Sequence, residues 1–199
     1  TIVVKKLCVD HMDASYWSQR YQKQRTGWDL GEVSPPLVEI FKEIEKDSEI
    51  LIPGCGNAYE AEFLFNSGYK NVYIIDVAKE PLEAFKKRNL SFPDHQIIQG
   101  DFFEHMGTYD FIVEQTFFCA IEPSLRTKYV KKMHQLLKQE GKLLGVLFDR
   151  EFDGGPPYGG RKEDYKTLFN AVFRKVEIQD SLKSIQPRLG AEVTIRCFK

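Results

Sequence analysis

The segment Glu49-Ile50-Leu51-Ile52-Pro53-Gly54-Cys55-Gly56, with Val72-Tyr73-Ile74-Ile75-Asp76 after it, decides how this chain folds. A short apolar run that breaks into a glycine turn reads as a buried strand ending in a tight loop. The glycines let backbone approach a ligand without interference from a Cβ. Ala61, Phe63, Leu64 and Phe65 recur at helix-like intervals from about Ala58 to Ser67, and Gly68 stops that segment. The second strand, Val72 to Asp76, ends in an acid roughly twenty residues beyond the turn, where a carboxylate can accept ribose hydroxyls.

The same alternation continues outward. A helix is expected from about Lys79 to Arg88, with Pro81 in its first turn, where a missing N–H does little harm. Ile97-Ile98 is a third strand ending at Gly100-Asp101, and Tyr109 to Val113 a fourth, closed by Glu114-Gln115. Ser124 to Lys138 is an amphipathic helix with Leu125, Tyr129, Met133, Leu136 and Leu137 as its buried stripe. Ser124 is placed to cap it, Gly141 closes it, and Lys142 to Phe148 forms a fifth strand. Such βαβ alternation predicts a mostly parallel sheet with helices on both faces. Val176 to Leu182 and Glu192 to Phe198, separated by Gln186-Pro187-Arg188-Leu189-Gly190, read as an antiparallel pair on one edge. Asp153 to Arg161 reads as a loop over the sheet. One domain spanning 1–199 follows, with 1–40 as an N-terminal arm that ends at Ser34-Pro35-Pro36.

Lys and Arg number 28 against 29 Asp and Glu, a net charge of −1, which argues against a nucleic-acid partner. Lys128, Lys131, Lys132 and Lys138 read more simply as a solvated helix face than as a basic patch. No apolar run approaches the roughly 20 residues that span a bilayer, and Thr1 to Lys6 lack a signal-peptide layout. Cys8, Cys55, Cys119 and Cys197 are scattered, without CxxC or metal spacing, which suits a reducing cytoplasm and no metal. Cys119, inside an apolar stretch, fits a small core residue better than a nucleophile. His11, His95, His105 and His134 form no triad-like or metal-like set.

In open parallel sheets the ligand lies beyond the carboxyl ends of the strands. Four successive ends here carry glycine or polar residues: Gly54 and Gly56, Asp76, Asp101 with Phe102, and Glu114 with Gln115. Asp101 suits an exocyclic amine and Phe102 an adenine face. A dinucleotide turn needs G-x-G-x-x-G, but its sixth position here is Tyr59, and a Walker lysine is absent. A dehydrogenase is therefore disfavoured, and an adenosine ligand without phosphates fits: S-adenosylmethionine. Trp17, Tyr21 and Trp28 sit on the polar N-terminal arm, either docked on the body or closing over a ligand as a lid. Aromatic faces stabilise a sulfonium cation, which gives the lid reading a purpose.

Trp17 to Pro36, Leu51 to Gly56, Phe117-Phe118-Cys119-Ala120-Ile121-Glu122-Pro123 and Gly154-Gly155-Pro156-Pro157-Tyr158 together resemble the thiopurine S-methyltransferase family, most nearly its plant thiol and halide methyltransferases. The likeness runs from about Trp17 to Gly190. It implies a three-layer α/β, Rossmann-like class I methyltransferase with a seven-stranded sheet and an aromatic lid. By that likeness Trp17, Tyr21 and Trp28 enclose the sulfonium end, Gly54 meets the amino-acid part, Asp76 the ribose, Asp101 and Phe102 the adenine, and Gln115 is another cofactor contact. Tyr21 stands where many relatives carry tryptophan, and Gly27 where proline is common.

The expected reaction is in-line methyl transfer, achieved by positioning and desolvation, to a small thiol or halide. Arg126 is a candidate for orienting an anionic acceptor, or else a surface arginine at a helix start. Phe117, Phe118, Phe148 and Tyr158 are candidate acceptor-pocket walls, with Phe118 equally suited to the core. A monomer acting on a small molecule is expected, with oxygen- or nitrogen-directed methylation and a silent cofactor-binding module as alternatives.

Overall fold

The computed structural model describes residues 12–199. Thr1 to Lys6, Cys8 and His11 lie outside the described residues. Seven strands form one sheet: β1 (Ile50–Pro53), β2 (Val72–Asp76), β3 (Ile97–Gln99), β4 (Tyr109–Gln115), β5 (Leu137–Phe148), β6 (Lys175–Asp180) and β7 (Glu192–Phe198). Their spatial order is β3-β2-β1-β4-β5-β7-β6. The first five are parallel, and β7 runs antiparallel between β5 and β6. Strand order reverses between β1 and β4, which places a crevice at their carboxyl ends.

Strand alternation divides the core into two layers. Leu51, Ile75, Ile112 and Leu143 point to one face, under α5 (Arg126–Leu136) and α6 (Lys162–Asn170). Ile50, Ile52, Ile74, Val113 and Leu144 point to the other, with residues of α2 (Pro35–Ile40), α3 (Tyr59–Asn66) and α4 (Lys79–Arg88). The arm contributes α1 (Ala14–Gln22), which buries no residue of its own.

Four boundaries differ from expectation. The arm helix stops at Gln22, and Ser34-Pro35-Pro36 opens α2, with proline in the first turn where its ring costs no hydrogen bond. Ser124 makes no capping bond; the helix begins at Arg126 after a 3₁₀ turn, Pro123–Leu125. It ends at Leu136, not at Gly141, because Leu137 is already extended and pairs with Tyr109 as the start of β5. Gly141 instead sits where a side chain would meet the Lys138 and Asp110 carbonyls at 2.9 and 3.1 Å. Finally, α6 has no counterpart in the sequence reading; Tyr165 and Phe169, buried four residues apart, are its signal.

The lysines of the α5 region do not make one basic patch. Lys132 is buried, and Lys138 lies between Glu49 (2.7 Å) and Asp110 (3.0 Å).

Candidate active site

A cavity of about 410 Å³ opens at the carboxyl ends of β1, β2 and β4, within the range of small-molecule sites. Trp17, Tyr21 and Trp28 line it from the arm. Gly54, Asp76, Asp101, Phe102 and Phe117 line it from the strand ends. These eight expected residues therefore meet in one place. Trp28 stands edge-on to both Trp17 and Tyr21, with centroids at 5.6 and 5.9 Å. The arm is attached to the body by polar contacts: Gln22 Nε2 donates to Glu80 of α4 at 2.6 Å, Asn57 donates to Asp29, and the Arg188 guanidinium donates to the Trp28 carbonyl at 2.7 Å.

The two turn glycines are also demanded by the protein's own packing. Both are left-handed, with φ of +57° and +51°. A Cβ on Gly54 would fall 2.2 Å from the Phe117 ring, and one on Gly56 would fall 2.7 Å from the Tyr21 hydroxyl. Protein packing alone therefore requires glycine at both positions, with Gly54 also in the cavity lining. Burial pushes the Tyr21 hydroxyl pKa far up, with Asp76 adding to it, so this group stays protonated.

The Asp76 carboxylate accepts the Gly56 N–H at 2.9 Å and the Ala78 N–H at 2.8 Å. Burial raises its pKa, while those backbone N–H groups hold it down. A carboxylate offers about four lone-pair sites, so these bonds leave acceptor capacity for a ligand hydroxyl. Asp101 accepts the Phe103 N–H at 2.8 Å, fixing the turn that presents Phe102. Gly56 and Gln115 lie in an adjoining recess of about 50 Å³ shared with Gly54 and Trp28. There the buried Gln115 Oε1 has no hydrogen-bond partner within the described residues.

Four candidates lie elsewhere. Phe118 is fully buried against Tyr129, Tyr165 and Phe169, because the residue after Phe117 turns to the opposite side of the loop. Phe148 packs edge-on against Phe152 and under the Arg188 guanidinium, behind the cavity. Tyr158 is outside the lining; its N–H donates to the Cys119 carbonyl at 2.6 Å, and its neighbours Pro156 and Pro157 form that wall instead. Arg126 does not face the cavity either. Its guanidinium covers the Phe118 ring at 4.5 Å and donates to the Tyr158 and Gly159 carbonyls at 3.1 and 3.0 Å, tying two loops together.

Leu125, expected in the buried stripe of the helix, is instead 40% exposed, and with Cys119, Ile121 and Glu122 it completes the wall. The Cys119 thiol donates to the Thr116 carbonyl at 3.1 Å, and burial above all pushes its pKa up to about 12, so it stays neutral. Glu114, one of the polar strand-end residues, does not line this cavity. It is almost fully buried near the end of β4, and its pKa is lifted by burial to about 7.

A seven-stranded sheet in this order, with an acid- and aromatic-lined cavity at its switch point, defines the class I S-adenosylmethionine-dependent methyltransferases. The family model for Thiopurine S-methyltransferase (TPMT) matches residues 12–196, and the chain belongs to that family. It is 30% identical over 184 residues to "Probable thiol methyltransferase 2" of Arabidopsis thaliana, covering 88% of this chain and 81% of that protein. It is 28% identical to "Thiocyanate methyltransferase 1" of Brassica oleracea, covering 95% and 87%. Among solved structures, the 1,6-didemethyltoxoflavin-N1-methyltransferase of Burkholderia thailandensis, which holds its substrate and S-adenosylhomocysteine, superposes with a TM-score of 0.75. That likeness covers 94% of this chain and 86% of the other at 17% identity, and it bears on the fold alone.

Proposed function

We propose that this protein methylates a small soft nucleophile, a thiol or a halide, with S-adenosylmethionine as donor. The observation that carries the reading is the meeting of the arm's three aromatics with Asp76, Asp101 and Phe102 around one cavity. S-adenosylmethionine, when bound, supplies an activated methyl group on a cationic sulfur. Trp17, Tyr21 and Trp28 offer their π faces to that cation. Asp76 takes the ribose hydroxyls, Asp101 and Phe102 the adenine, Gly54 meets the amino-acid part, and Gln115 is a further cofactor contact. Ile121, Leu125, Pro156 and Pro157 exclude water and strip the nucleophile of solvent. Among the described lining residues the ionisable groups other than tyrosine and cysteine are all acids, with no histidine or lysine. A halide has no proton to lose, and a thiol's proton can pass to one of these carboxylates. The names of the plant relatives point to the same acceptor class.

We place the protein in a reducing cytoplasm, as a monomer without a metal. The free thiols Cys55, Cys119 and Cys197 support the compartment. No helix among the described residues is long and apolar enough to cross a membrane.

Incubation with S-adenosylmethionine and, separately, a thiol, thiocyanate, iodide, a phenol and an amine, with S-adenosylhomocysteine release as readout, tests the acceptor. Release with the thiol or the anions is expected. Release only with the phenol or amine would replace this reading with oxygen- or nitrogen-directed transfer, and cofactor binding without any release would make the chain a silent binding module.

A further inference from the structure

Glu114, next to last in β4, stands opposite Gly145 of β5, where a Cβ would lie 2.5 Å from that of Glu114. The sheet is thus built to admit this side chain. One carboxylate oxygen accepts two successive backbone N–H groups, from Phe117 at 2.9 Å and Phe118 at 2.8 Å. The other accepts the hydroxyl of Tyr129, a fully buried residue of α5. Between strand and loop, Thr116 holds a left-handed φ of +57°, a conformation unfavourable to a β-branched residue. The bonds to Glu114 fall immediately after that strained turn and fix where Phe117 points. Phe117 in turn fills the space above Gly54 and meets Phe102 edge-on at 5.2 Å. Tyr129 lies beneath the same rings, 5.9 Å from Phe117 and 5.8 Å from Phe102.

We infer that Glu114, braced by Tyr129, is a positioning residue: it sets the Phe117 wall that shapes the cofactor cavity, without touching the ligand. Burying a carboxylate is costly, and a loop needing only support would use apolar packing. Here one oxygen takes two N–H groups that would otherwise be orphaned, while the second oxygen is pinned so that the first cannot rotate away. This inference rests on the cavity being the S-adenosylmethionine site, though not on the identity of the acceptor.

The test uses the full chain with Glu114→Gln, Glu114→Ala and Tyr129→Phe, reading the S-adenosylhomocysteine dissociation constant by calorimetry, turnover with a thiol, and Tm. Glu114→Ala orphans both N–H groups and should weaken binding by about tenfold or more, with turnover falling further. Glu114→Gln keeps an amide oxygen for the same two donors and should restore binding to within about threefold, even if its Tm differs. A role in stability alone would move Tm without this split between Gln and Ala. If Glu114→Ala does not fold, Tyr129→Phe decides: losing the brace should weaken binding by roughly three- to tenfold in a folded protein. Wild-type binding by Glu114→Ala or, should that chain not fold, by Tyr129→Phe would overturn the inference. So would equal losses in folded Glu114→Gln and Glu114→Ala. A wild-type chain that binds S-adenosylhomocysteine but methylates no acceptor would count against the acceptor reading, leaving the binding comparison to judge Glu114. A wild-type chain with no affinity for it would overturn both.

Discussion

The Asp76 carboxylate divides its lone pairs between the protein and the expected ribose, because two of them already hold the Gly56 and Ala78 N–H groups. Its removal should raise the S-adenosylmethionine dissociation constant of Asp76→Ala about a hundredfold, the worth of one or two charge-assisted bonds. Calorimetric titration checks this, and an unchanged affinity would reject the ribose assignment. Glu114 carries a pH prediction. Its pKa rises from the ordinary 4.5 to about 7 on folding, chiefly through burial. Between those values the unfolded chain loses a proton that the folded chain keeps, so stability falls as pH rises through this window and levels off above it. The loss is on the order of a few kcal/mol. Glu114→Gln lacks the titration, so its Tm relative to wild type should be higher at pH 8 than at pH 5; an equal difference at both would refute a buried titrating carboxyl. The strand-end residues were legible because glycine and acids stand out where apolar strands stop, and the structure brings Gly54, Asp76, Asp101 and Phe102 to one cavity. Side-chain direction was not: Phe117 and Phe118 are identical letters, yet one lines the cavity and the other fills the core. Arg126 was misjudged for a related reason, since its partners are carbonyls some thirty residues away that leave no trace in local pattern.

Elements with a strong period were readable in advance: β2, α4 and β7 begin and end where alternation and turn signals put them. The boundary between α5 and β5 was not, because Leu136 and Leu137 satisfy a helical stripe and a strand alike, and pairing with Tyr109 decides for the strand. The arm helix lies on the surface of the body. With no residue of α1 buried, a handful of polar contacts hold it, among them the bonds through Glu80 and Arg188. Segments with so little apolar burial open at low free-energy cost. The amides of α1 should therefore exchange with deuterium well before those of β1 and β4 in the free protein, and slow when S-adenosylhomocysteine occupies the cavity. The only two tryptophans in the chain, Trp17 and Trp28, both face that cavity, so ligand addition should change intrinsic fluorescence in parallel. Equal protection of α1 with and without ligand would mean that the arm is docked permanently rather than acting as a lid.

At the scale of the whole molecule, the cavity joins parts far apart in sequence: the arm, four strand ends, the Phe117 loop and the proline loop at Pro156. Unfolding scatters these groups, so the ligand binds only the folded chain, and binding energy adds directly to stability. At a free ligand concentration a hundred times the dissociation constant the gain is about 2.7 kcal/mol. For a domain of this size each kcal/mol moves Tm by roughly 2–4 °C, so S-adenosylhomocysteine at that level should raise Tm by about 5–10 °C. NAD should leave it unchanged, because Tyr59 stands where a dinucleotide turn needs its third glycine, and its ring packs under the Arg88 guanidinium at 4.9 Å. Differential scanning with each ligand in turn makes the comparison. A shift with NAD and none with S-adenosylhomocysteine would mean that the cavity serves a different nucleotide. A shift with S-adenosylhomocysteine that disappears in Asp76→Ala at the same concentration ties the stabilisation to the strand ends rather than to nonspecific binding elsewhere.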